Sequence, residues 1–364
     1  MYTLFYILPL ILFIPIMVYF YYLFLRLFHL LKRDTHKKRI HVLCIILSIC
    51  FVFPAVNLFG FWALIILHFF AFSFIFDVIY WLLKKKKKHH RITKIYQSSM
   101  IPLLCVLLVL GYGYTKMKDV SQKDYIVYTQ KALQHNYRIA FLSDLHFANT
   151  MDKEQLNQYC QQISKTNPDI IILGGDIVDE KTTKQQMQQA FETLGNMQSQ
   201  FGIYYVYGNH DRATYSSHPY FTKDELKQIV IDNHIHILQD DFVTINDDFV
   251  LIGREDRSQP RLSSQQLLEN MNQDNFMLVV DHQPVDLKIN DELGYDLQLS
   301  GHTHGGQIFP VGLMIDLLGF GEMNYGYRQY DHMQAIVSSG IAGWGYPIRT
   351  GSHSEYVIVY IMKK

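Results

Sequence analysis

The segment YRIAFLSDLH, residues 137–146, joins an apolar run to two side chains that can bind a metal ion. Its first six residues, Tyr137 to Leu142, have the pattern of a buried β-strand. Asp144 and His146 follow at once, where such a strand ends and the chain turns. Because ligands of α/β proteins gather at the carboxyl ends of strands, this segment predicts an α/β fold with a site at the edge of its sheet.

Four later segments repeat the arrangement of an apolar run followed by Asp, Asn or His. Each polar group taken alone is as often a capping element as a ligand, but five ligand-rich loops in order favour one shared metal site. Helices are predicted between the strands, at residues 153–166, 184–197 and 223–232. The four further strands and their loops are Ile170–Leu173 before GGDIVD (174–179), Tyr204–Tyr207 before GNHD (208–211), Phe276–Val280 before DHQP (281–284), and Leu297–Leu299 before SGHTH (300–304).

The series DxH, GDxxD, GNHD, a lone His and GHxH resembles the calcineurin-like metallophosphoesterase superfamily over about residues 137–364. Residues 300–307 and the late Pro347-Ile348-Arg349 resemble its membrane-linked bacterial branch, which includes transmembrane metallophosphoesterases and UDP-2,3-diacylglucosamine hydrolase-like enzymes. The resemblance implies an α/β metallophosphoesterase domain of four layers, in which two mixed β-sheets pack together and are flanked by helices.

The resemblance also implies a binuclear centre. A mixture of carboxylate, amide and imidazole ligands suits Mn²⁺, Fe or Zn²⁺, with Mn²⁺ slightly favoured. Two such ions can share a hydroxide and clamp the attacking and leaving oxygens of an in-line displacement at phosphorus. By motif position, one ion takes Asp144, His146 and His304, the other takes Asn209, His282 and His302, and Asp176 bridges them.

Catalytic roles are carried over from the same resemblance. His210 is the expected proton donor or phosphate-binding group, and Asp211 is expected to orient its imidazole. Asp179 is expected to support the Asp176 loop. Arg349 is a candidate for bidentate binding of the substrate phosphate, and an exposed or ion-paired role for it stays equally open.

The first 115 residues have a different composition. A bilayer core requires about 20 mostly apolar residues in a helix, and four stretches meet that length. The fourth is short, so three spans plus an interfacial segment is the alternative. Residues 1–115 are therefore predicted to form a transmembrane anchor, 116–136 a linker with the first strand, and 137–364 the catalytic domain. The four stretches are Leu4–Leu30, Ile40–Phe59, Phe61–Leu83 and Ser98–Tyr114.

Basic residues predict how the anchor is oriented. They cluster between the first and second spans and between the third and fourth, so both loops should be cytoplasmic. Four spans then place the catalytic domain on the extracytoplasmic face of a bacterial cell membrane, whereas loss of the fourth would leave it in the cytoplasm. Arg26 and Asp77, near span ends, are expected to snorkel. The basic clusters are Lys32, Arg33, Lys37, Lys38 and Arg39, and Lys84 to Lys88, Arg91 and Lys94.

Charge and cysteine content exclude two classes of partner. Beyond residue 115 the chain has 20 basic and 31 acidic residues, a net charge near −11, which opposes binding to a nucleic-acid backbone. Three cysteines lie in the apolar stretches and Cys160 stands alone, so no disulfide partner is expected. The expected partners are the lipid bilayer and a phosphorylated or lipid-linked substrate.

Together these features predict a membrane-anchored phosphoesterase that hydrolyses a phosphoester or pyrophosphate bond of a lipid-linked or envelope-derived substrate. The alternatives are a broad phosphodiesterase for soluble substrates and a non-catalytic membrane sensor that keeps the fold. The apolar stretch at residues 308–320 has two interpretations. It packs as core, or it lines an acyl-chain groove or rests on the bilayer.

Overall fold

The computed structural model describes residues 2–58, 60–84 and 90–364. The chain forms two compact units, Met1–Tyr112 and Gly113–Lys364. Residues 85–89, which carry most of the second predicted basic cluster, and Phe59, the predicted end of the second span, lie outside the described residues.

The described part of the first unit consists of helices, most of them apolar. Four of the described stretches are long and apolar enough to cross a membrane, as predicted: residues 13–30, 38–56, 61–83 and 100–118. The boundary between the two units falls within the last helix. The helices are α1 (Tyr2–Leu30), α2 (Lys38–Val52), α3 (Phe61–Lys84), the short α4 (His90–Ser98), and α5 (Met100–Lys118).

Two charged side chains of the first unit form a buried ion pair. Arg26 Nη1 of α1 lies 2.6 Å from Asp77 Oδ1 of α3, and the Arg26 side chain is only 6% exposed. Tyr19 donates a hydrogen bond to the other Asp77 oxygen, and the guanidinium lies 4.3 Å from the centre of the Tyr96 ring. The expectation that both residues snorkel is wrong, because a charge inside an apolar bundle is stabilised by pairing.

The second unit contains the α/β domain. Its first sheet has the strand order β1-β12-β2-β3-β4-β5, in which β2 to β5 are parallel and β12 pairs antiparallel with β2. The last strand of the chain is thus inserted between β1 and β2. The strands of this first sheet are β1 (Val120–Thr129), β2 (Tyr137–Leu142), β3 (Ile170–Leu173), β4 (Ile203–Tyr205), β5 (Ile235–Ile237) and β12 (Ser354–Lys363). The strands of the second sheet are β6 (Asp241–Ile245), β7 (Phe249–Gly253), β8 (Phe276–Val280), β9 (Leu297–Ser300), β10 (Gly326–Gln329) and β11 (Gln334–Val337).

The second sheet has the order β10-β11-β9-β8-β7-β6, with β11, β9, β8 and β7 parallel and an antiparallel strand at each edge. Buried residues of the two sheets pack face to face in one apolar layer, which includes Phe141, Leu278 and Val357. Helices cover the outer faces. The result is the predicted four-layer arrangement of two mixed sheets flanked by helices.

The outer helices begin at local sequence signals. Asp152, Thr183 and Thr222 are N-caps, and each forms a reciprocal capping box with the Gln or Glu three residues later. Buried side chains of α6, α7 and α8 then pack on the first sheet. The helices of the second unit are α6 (Lys153–Lys165), α7 (Lys184–Gly195), α8 (Lys223–Asp232), α9 (Ser264–Leu267), α10 (Leu287–Glu292) and α11 (Val311–Leu318).

The apolar stretch at 308–320 does not form core. It contains α11, in which no residue is buried, and Leu317 and Phe320 are 75% and 74% exposed. Core packing is therefore the wrong interpretation of this stretch, apart from Ile308, which is buried.

Candidate metal centre

Five loops from both sheets carry the predicted ligands. In the first sheet β2, β3 and β4 are parallel neighbours, so the loops that follow them meet at one edge. The backbone of Asp144 and of His146 donates to the carbonyls of Gly175 and Asp176 at 3.0 and 2.9 Å, which ties the first loop to the second. The parallel strands β8 and β9 bring the two later loops to the same place, where the N–H of Gly301 donates to the His282 carbonyl.

The backbone of these loops is held in left-handed conformations. Non-glycine residues avoid positive φ because Cβ crowds the backbone, and each such residue costs about 1–3 kcal/mol. Such strain persists only where surrounding contacts impose it, and here it occurs at residues whose side chains meet in the two ligand clusters. Five of the predicted ligands adopt positive φ: Asp144 (58°), His146 (40°), Asp176 (53°), His302 (69°) and His304 (51°).

Gly175 lets the second loop approach its neighbours. Its φ is +89°, and a Cβ placed there would lie 2.6 Å from His282 Nδ1 and 2.7 Å from the Gly208 nitrogen. Both distances are too short for real atoms, so any side chain at this position would push the ligand loops apart.

Asp144, His146 and His304 form the first cluster of ligand atoms, which all lie within 4.8 Å of one another. His304 Nε2 is 3.7 Å from Asp144 Oδ1, and the His146 and His304 rings lie 5.3 Å apart. Burial lowers the pKa of His304 to about 3, although Asp144 opposes that shift. The imidazole is therefore neutral near pH 7, with a lone pair available to a cation.

Asp176, His282 and His302 form the second cluster, also within 4.8 Å. His282 Nδ1 lies 2.8 Å from the Gly174 carbonyl, and its Nε2 lies 3.1 Å from Asp176 Oδ2. A hydrogen bond to a carbonyl commonly fixes the tautomer of a metal-binding histidine and leaves the other nitrogen free to bind. Asp176 Oδ2 is also 3.7 Å from His146 Nε2, so this carboxylate lies between the two clusters.

Several polar atoms of the site have no hydrogen-bond partner among the residues that the structure describes. A buried polar group without a partner costs about 1–3 kcal/mol, so a group of them indicates a missing partner. Cations fit this donor set, because the atoms include imidazole nitrogens and an amide oxygen beside two carboxylates. The orphaned atoms are His146 Nδ1 and Nε2, Asn209 Oδ1 and His304 Nδ1.

The Asp176 carboxylate experiences strong charges. Burial opposes its ionised form, but His282, His146 and His210 hold the pKa of Asp176 well below its usual range. Conversely, burial disfavours a charged His282, and Asp176 nevertheless raises the pKa of that imidazole. A divalent ion at this position would take over the role of the histidine proton in neutralising the carboxylate.

His210 lies beside the clusters, and its partner is not the predicted one. The backbone N–H of His210 donates to Asp176 Oδ1 at 2.8 Å, and its ring lies 5.4 Å from that of His146. Its Nδ1 is 2.9 and 3.0 Å from the two oxygens of Glu180. Burial opposes protonation, but Glu180 and Asp176 raise the pKa of His210 above its usual value.

Asp211 holds backbone instead of the imidazole. Its two oxygens accept hydrogen bonds from the N–H groups of Asp176, Ile177, Val178 and Gly208, at 2.6–3.1 Å. The prediction that Asp211 orients the His210 imidazole is therefore wrong, since both Asp211 oxygens already accept hydrogen bonds from backbone N–H groups. Burial, then the nearby Asp176, raises the pKa of Asp211 to about 6.

Arg349 also lies outside its expected place, whereas Asp179 lies in the loop that carries Asp176 and its support of that loop stays a prediction. Asp179 Oδ2 is 3.5 Å from His146 Nδ1, beyond a good hydrogen-bond length, and the carboxylate accepts from the Lys181 N–H. Arg349 is 0% exposed and donates to the backbone carbonyls of His304 and Ala342, among others. A substrate role for Arg349 stays a prediction, and this geometry does not support it.

Three residues at the site were missed by the reasoning from sequence. Glu180 directly follows the GDIVD motif, and its carboxylate was the only signal. Trp344 packs on His210 with ring centres 5.2 Å apart, and Tyr215 lies 5.1 Å away on another side. Nothing near Trp344 in the sequence marks it, because it reaches the site through the loop after β11.

Comparisons with known proteins agree with this geometry. Residues 137–306 match the family model of the calcineurin-like phosphoesterase. An uncharacterized metallophosphoesterase of Helicobacter pylori is 27% identical over 308 residues, 82% of this chain and 78% of the relative. The uncharacterized metallophosphoesterase YkoQ of Bacillus subtilis is 31% identical over 253 residues, 65% of this chain and 86% of the relative.

Another relative is named as a transmembrane protein. The transmembrane protein with metallophosphoesterase domain of Danio rerio is 23% identical over 281 residues, 71% of this chain and 62% of the relative. Together with the four apolar helices, this relative associates the chain with a membrane. The chain belongs to the calcineurin-like metallophosphoesterase family, whose members are metal-dependent phosphoester hydrolases.

Proposed function

We propose that the chain is a membrane-anchored two-metal phosphoesterase that hydrolyses a phosphoester or pyrophosphate bond of a lipid-linked or envelope-derived substrate. The observation that carries the proposal is the pair of ligand clusters, each within 4.8 Å, with Asp176 between them. The orphaned buried nitrogens of His146 and His304 support it independently.

Each cluster would hold one divalent ion, Mn²⁺, Fe or Zn²⁺, with Mn²⁺ slightly favoured. Asp144, His146 and His304 would hold the first, His282 and His302 with the Asn209 amide oxygen the second, and Asp176 both. Bound ions of this kind lower the pKa of water and neutralise the charge that develops on a phosphoryl group.

The chain's own groups supply positioning and a proton. Glu180 holds His210 Nδ1, so the Nε2 of that imidazole is directed away from the carboxylate. A proton on Nε2 can be donated to a phosphate oxygen or to the leaving alkoxide, which needs one. Trp344 and Tyr215 flank the ring and restrict its rotation.

The membrane anchor and the charge of the domain limit the classes of substrate that fit. A net charge near −11 beyond residue 115 repels polyanions such as nucleic acid. An enzyme fixed to a bilayer meets membrane-borne phosphates at high local concentration. A phosphorylated lipid or a lipid-linked pyrophosphate therefore fits better than a soluble phosphodiester, and the bilayer itself is the proposed partner.

We further propose that the domain is extracytoplasmic in a bacterial cell membrane. Four spans with basic residues in the loops after the first and third bring the chain out after α5. A reporter enzyme fused after Lys118 should be active outside the cytoplasm. Activity confined to the cytoplasm would contradict this orientation.

The activity is tested with the detergent-purified full chain. We expect Mn²⁺-dependent cleavage of an aryl phosphodiester, and faster cleavage of phospholipids or UDP-linked lipids followed by ³¹P NMR. The Asp176→Asn variant should lose both reactions, whereas the exposed Arg257→Ala variant should keep both. Cleavage of the soluble compound alone would favour the broad phosphodiesterase, and no cleavage of any compound would favour the non-catalytic sensor.

A further inference from the structure

Helix α11 presents an exposed apolar surface beside the metal centre. The segment begins directly after the loop of His304 to Gln307 and lies just beyond the part that matches the family model, which ends at residue 306. The surfaces of soluble proteins rarely contain so many large apolar side chains in one contiguous patch. The exposed members, here called the α11 surface, are Phe309, Val311, Leu313, Met314, Leu317, Leu318 and Phe320.

The apolar side chains are arranged on one side of the helix. At about 100° per residue, positions 311, 313, 314, 315, 317 and 318 fill one broad arc, and Gly312 and Asp316 share the remainder. Gly312 faces the domain, because a Cβ there would lie 2.9 Å from the Gly305 carbonyl oxygen and 3.0 Å from Asn324 Nδ2. The apolar arc is therefore directed outward.

The α11 surface is linked to the last turn of the spanning helix. Within the second unit, the N–H of Phe309 donates to Thr350 Oγ1 at 3.0 Å, and the N–H of Arg349 donates to the Gly113 carbonyl at 3.0 Å. A Cβ at Gly113 would lie 2.7 Å from Ile348 Cγ2. A short chain of contacts thus connects α11 with residues 113–118, where α5 ends.

Residues 113–118 have the composition of a membrane–water interface. They include Tyr114, Lys116 and Lys118, and the Lys118 ammonium lies 4.5 Å from the centre of the Tyr114 ring. Tyrosine is enriched where a helix leaves the hydrocarbon, and a lysine near a helix end extends its charge to the water. The α11 surface is accordingly close to the level at which the chain leaves the bilayer.

We propose that the α11 surface is inserted into the interface of the bilayer that α5 spans. An amphipathic helix of this kind buries its apolar face about 5–10 Å into the boundary between headgroups and acyl chains. A second copy of the chain is a weaker candidate, because the bilayer is held beside α11 by the covalent chain itself. The occupant is therefore lipid.

Insertion would also determine how substrate reaches the metal centre. His304 lies seven residues before Val311, and Gly306 packs directly on Gly312. The ligand loop is thus fixed to the inserted helix, so insertion would hold the site near the phosphate groups at the surface of the bilayer. This step rests on the proposed function, whereas insertion itself does not.

Insertion is tested by fluorescence quenching on the full chain in phosphatidylcholine vesicles. In a background where Cys50 and Cys105 are alanine, an environment-sensitive fluorophore is attached at Leu317→Cys. The matched control is Ile231→Cys, on the exposed side of α8 beside β5, at the sheet edge opposite to β1. Lipids with a nitroxide on the acyl chain should quench most of the emission at 317 and little at 231.

Three other results would overturn insertion. Equal and weak acyl-chain quenching at 317 and 231, with strong quenching by aqueous iodide at both, would place α11 in water. Self-quenching that rises with protein density, without acyl-chain quenching, would indicate a second copy. Protection from both quenchers would indicate another protein as the occupant.

The substrate step is tested separately with the Leu317→Gln, Leu318→Gln double variant. For a diacyl lipid pyrophosphate in vesicles, KM should rise about tenfold or more, because two exposed leucines no longer favour the interface. The kcat for a soluble aryl phosphodiester should not change. Ile231→Gln with Leu262→Gln is the control pair. An unchanged KM in the Leu317→Gln, Leu318→Gln variant would overturn the delivery of substrate from the bilayer. Wild-type protein that cleaves neither compound would refute the proposed function, and the result of the quenching experiment would still stand.

Discussion

Replacement of Arg349 by alanine should destabilise the catalytic unit. The guanidinium is 0% exposed and donates to the carbonyl oxygens of His304 and Ser339 at 3.0 Å and of Ala342 at 2.6 Å. It thereby connects a predicted metal ligand to the loop after β11. Burial lowers the pKa of Arg349 to about 10, so the side chain stays charged at neutral pH.

The magnitude follows from the carbonyls that lose their donor. Arg349 also donates to the His353 carbonyl, which keeps the Ser339 hydroxyl as a donor, and Ser352 Oγ still donates to the His304 carbonyl at 2.8 Å. The carbonyls of Ser339 and Ala342 are left without a donor. Two buried carbonyls at about 2 kcal/mol each give a loss of about 4 kcal/mol. For a unit of this size each kcal/mol shifts Tm by roughly 2–4 °C, so Tm should fall by about 8–16 °C.

The assay is thermal unfolding of the full chain in detergent, followed by near-ultraviolet circular dichroism. Arg257→Ala removes the same group from an exposed position and should leave Tm within about 1 °C. If Arg349→Ala behaves like the control in Tm and instead raises KM for an aryl phosphodiester, the guanidinium binds substrate. In that case the role assigned from the burial and hydrogen bonds of Arg349 is wrong.

Three further predictions concern the site. His210→Ala should retain bound metal, measured by elemental analysis, but lose roughly a hundredfold or more in kcat, and undiminished turnover would remove its role in proton donation. Glu180→Gln should reduce kcat at an unchanged Tm, because Glu180 holds the His210 ring. Asp211→Asn should lower Tm, because four backbone N–H groups donate to that carboxylate. Similar effects of the two changes on Tm would contradict these separate roles of Glu180 and Asp211. Removal of metal by a chelator should lower Tm and abolish turnover, and added Mn²⁺ should restore both. An ion present at a thousand times its Kd stabilises the folded state by about 4 kcal/mol. Unchanged Tm and turnover in the presence of chelator would show that the protein holds no ions at these clusters.

The strands and the ligand loops were predictable because their signals are local. The predicted boundaries of β2, β3 and β8 agree with the structure, as do those of α8. Each apolar run is bounded by the glycine or polar residues that end it, so strand and loop are defined by neighbouring residues. That the loops meet also follows from parallel strands, since their carboxyl ends share an edge.

The partner of His210 was not predictable in the same way. Asp179, Glu180 and Asp211 are all carboxylates close to the ligand residues in the sequence. Which one faces the imidazole depends on how the loop after β3 turns, and the positive φ of Asp176 is part of that turn. The position of β12 is a similar case, because the insertion of residues 354–363 between β1 and β2 depends on contacts between distant parts of the chain.

The burial of Arg26 and of Arg349 was not predictable from the sequence, for one physical reason. A guanidinium in a sequence is expected at a surface, because burial without acceptors is costly. In the structure Asp77 supplies acceptors for Arg26 across 51 positions of sequence, and backbone carbonyls supply them for Arg349. Neither set of acceptors is visible to hydropathy, since carbonyls are present at every residue and Asp77 is a lone acid in an apolar span. The burial of an arginine is therefore decided by tertiary structure, whereas the ligand loops are decided by the strands that precede them.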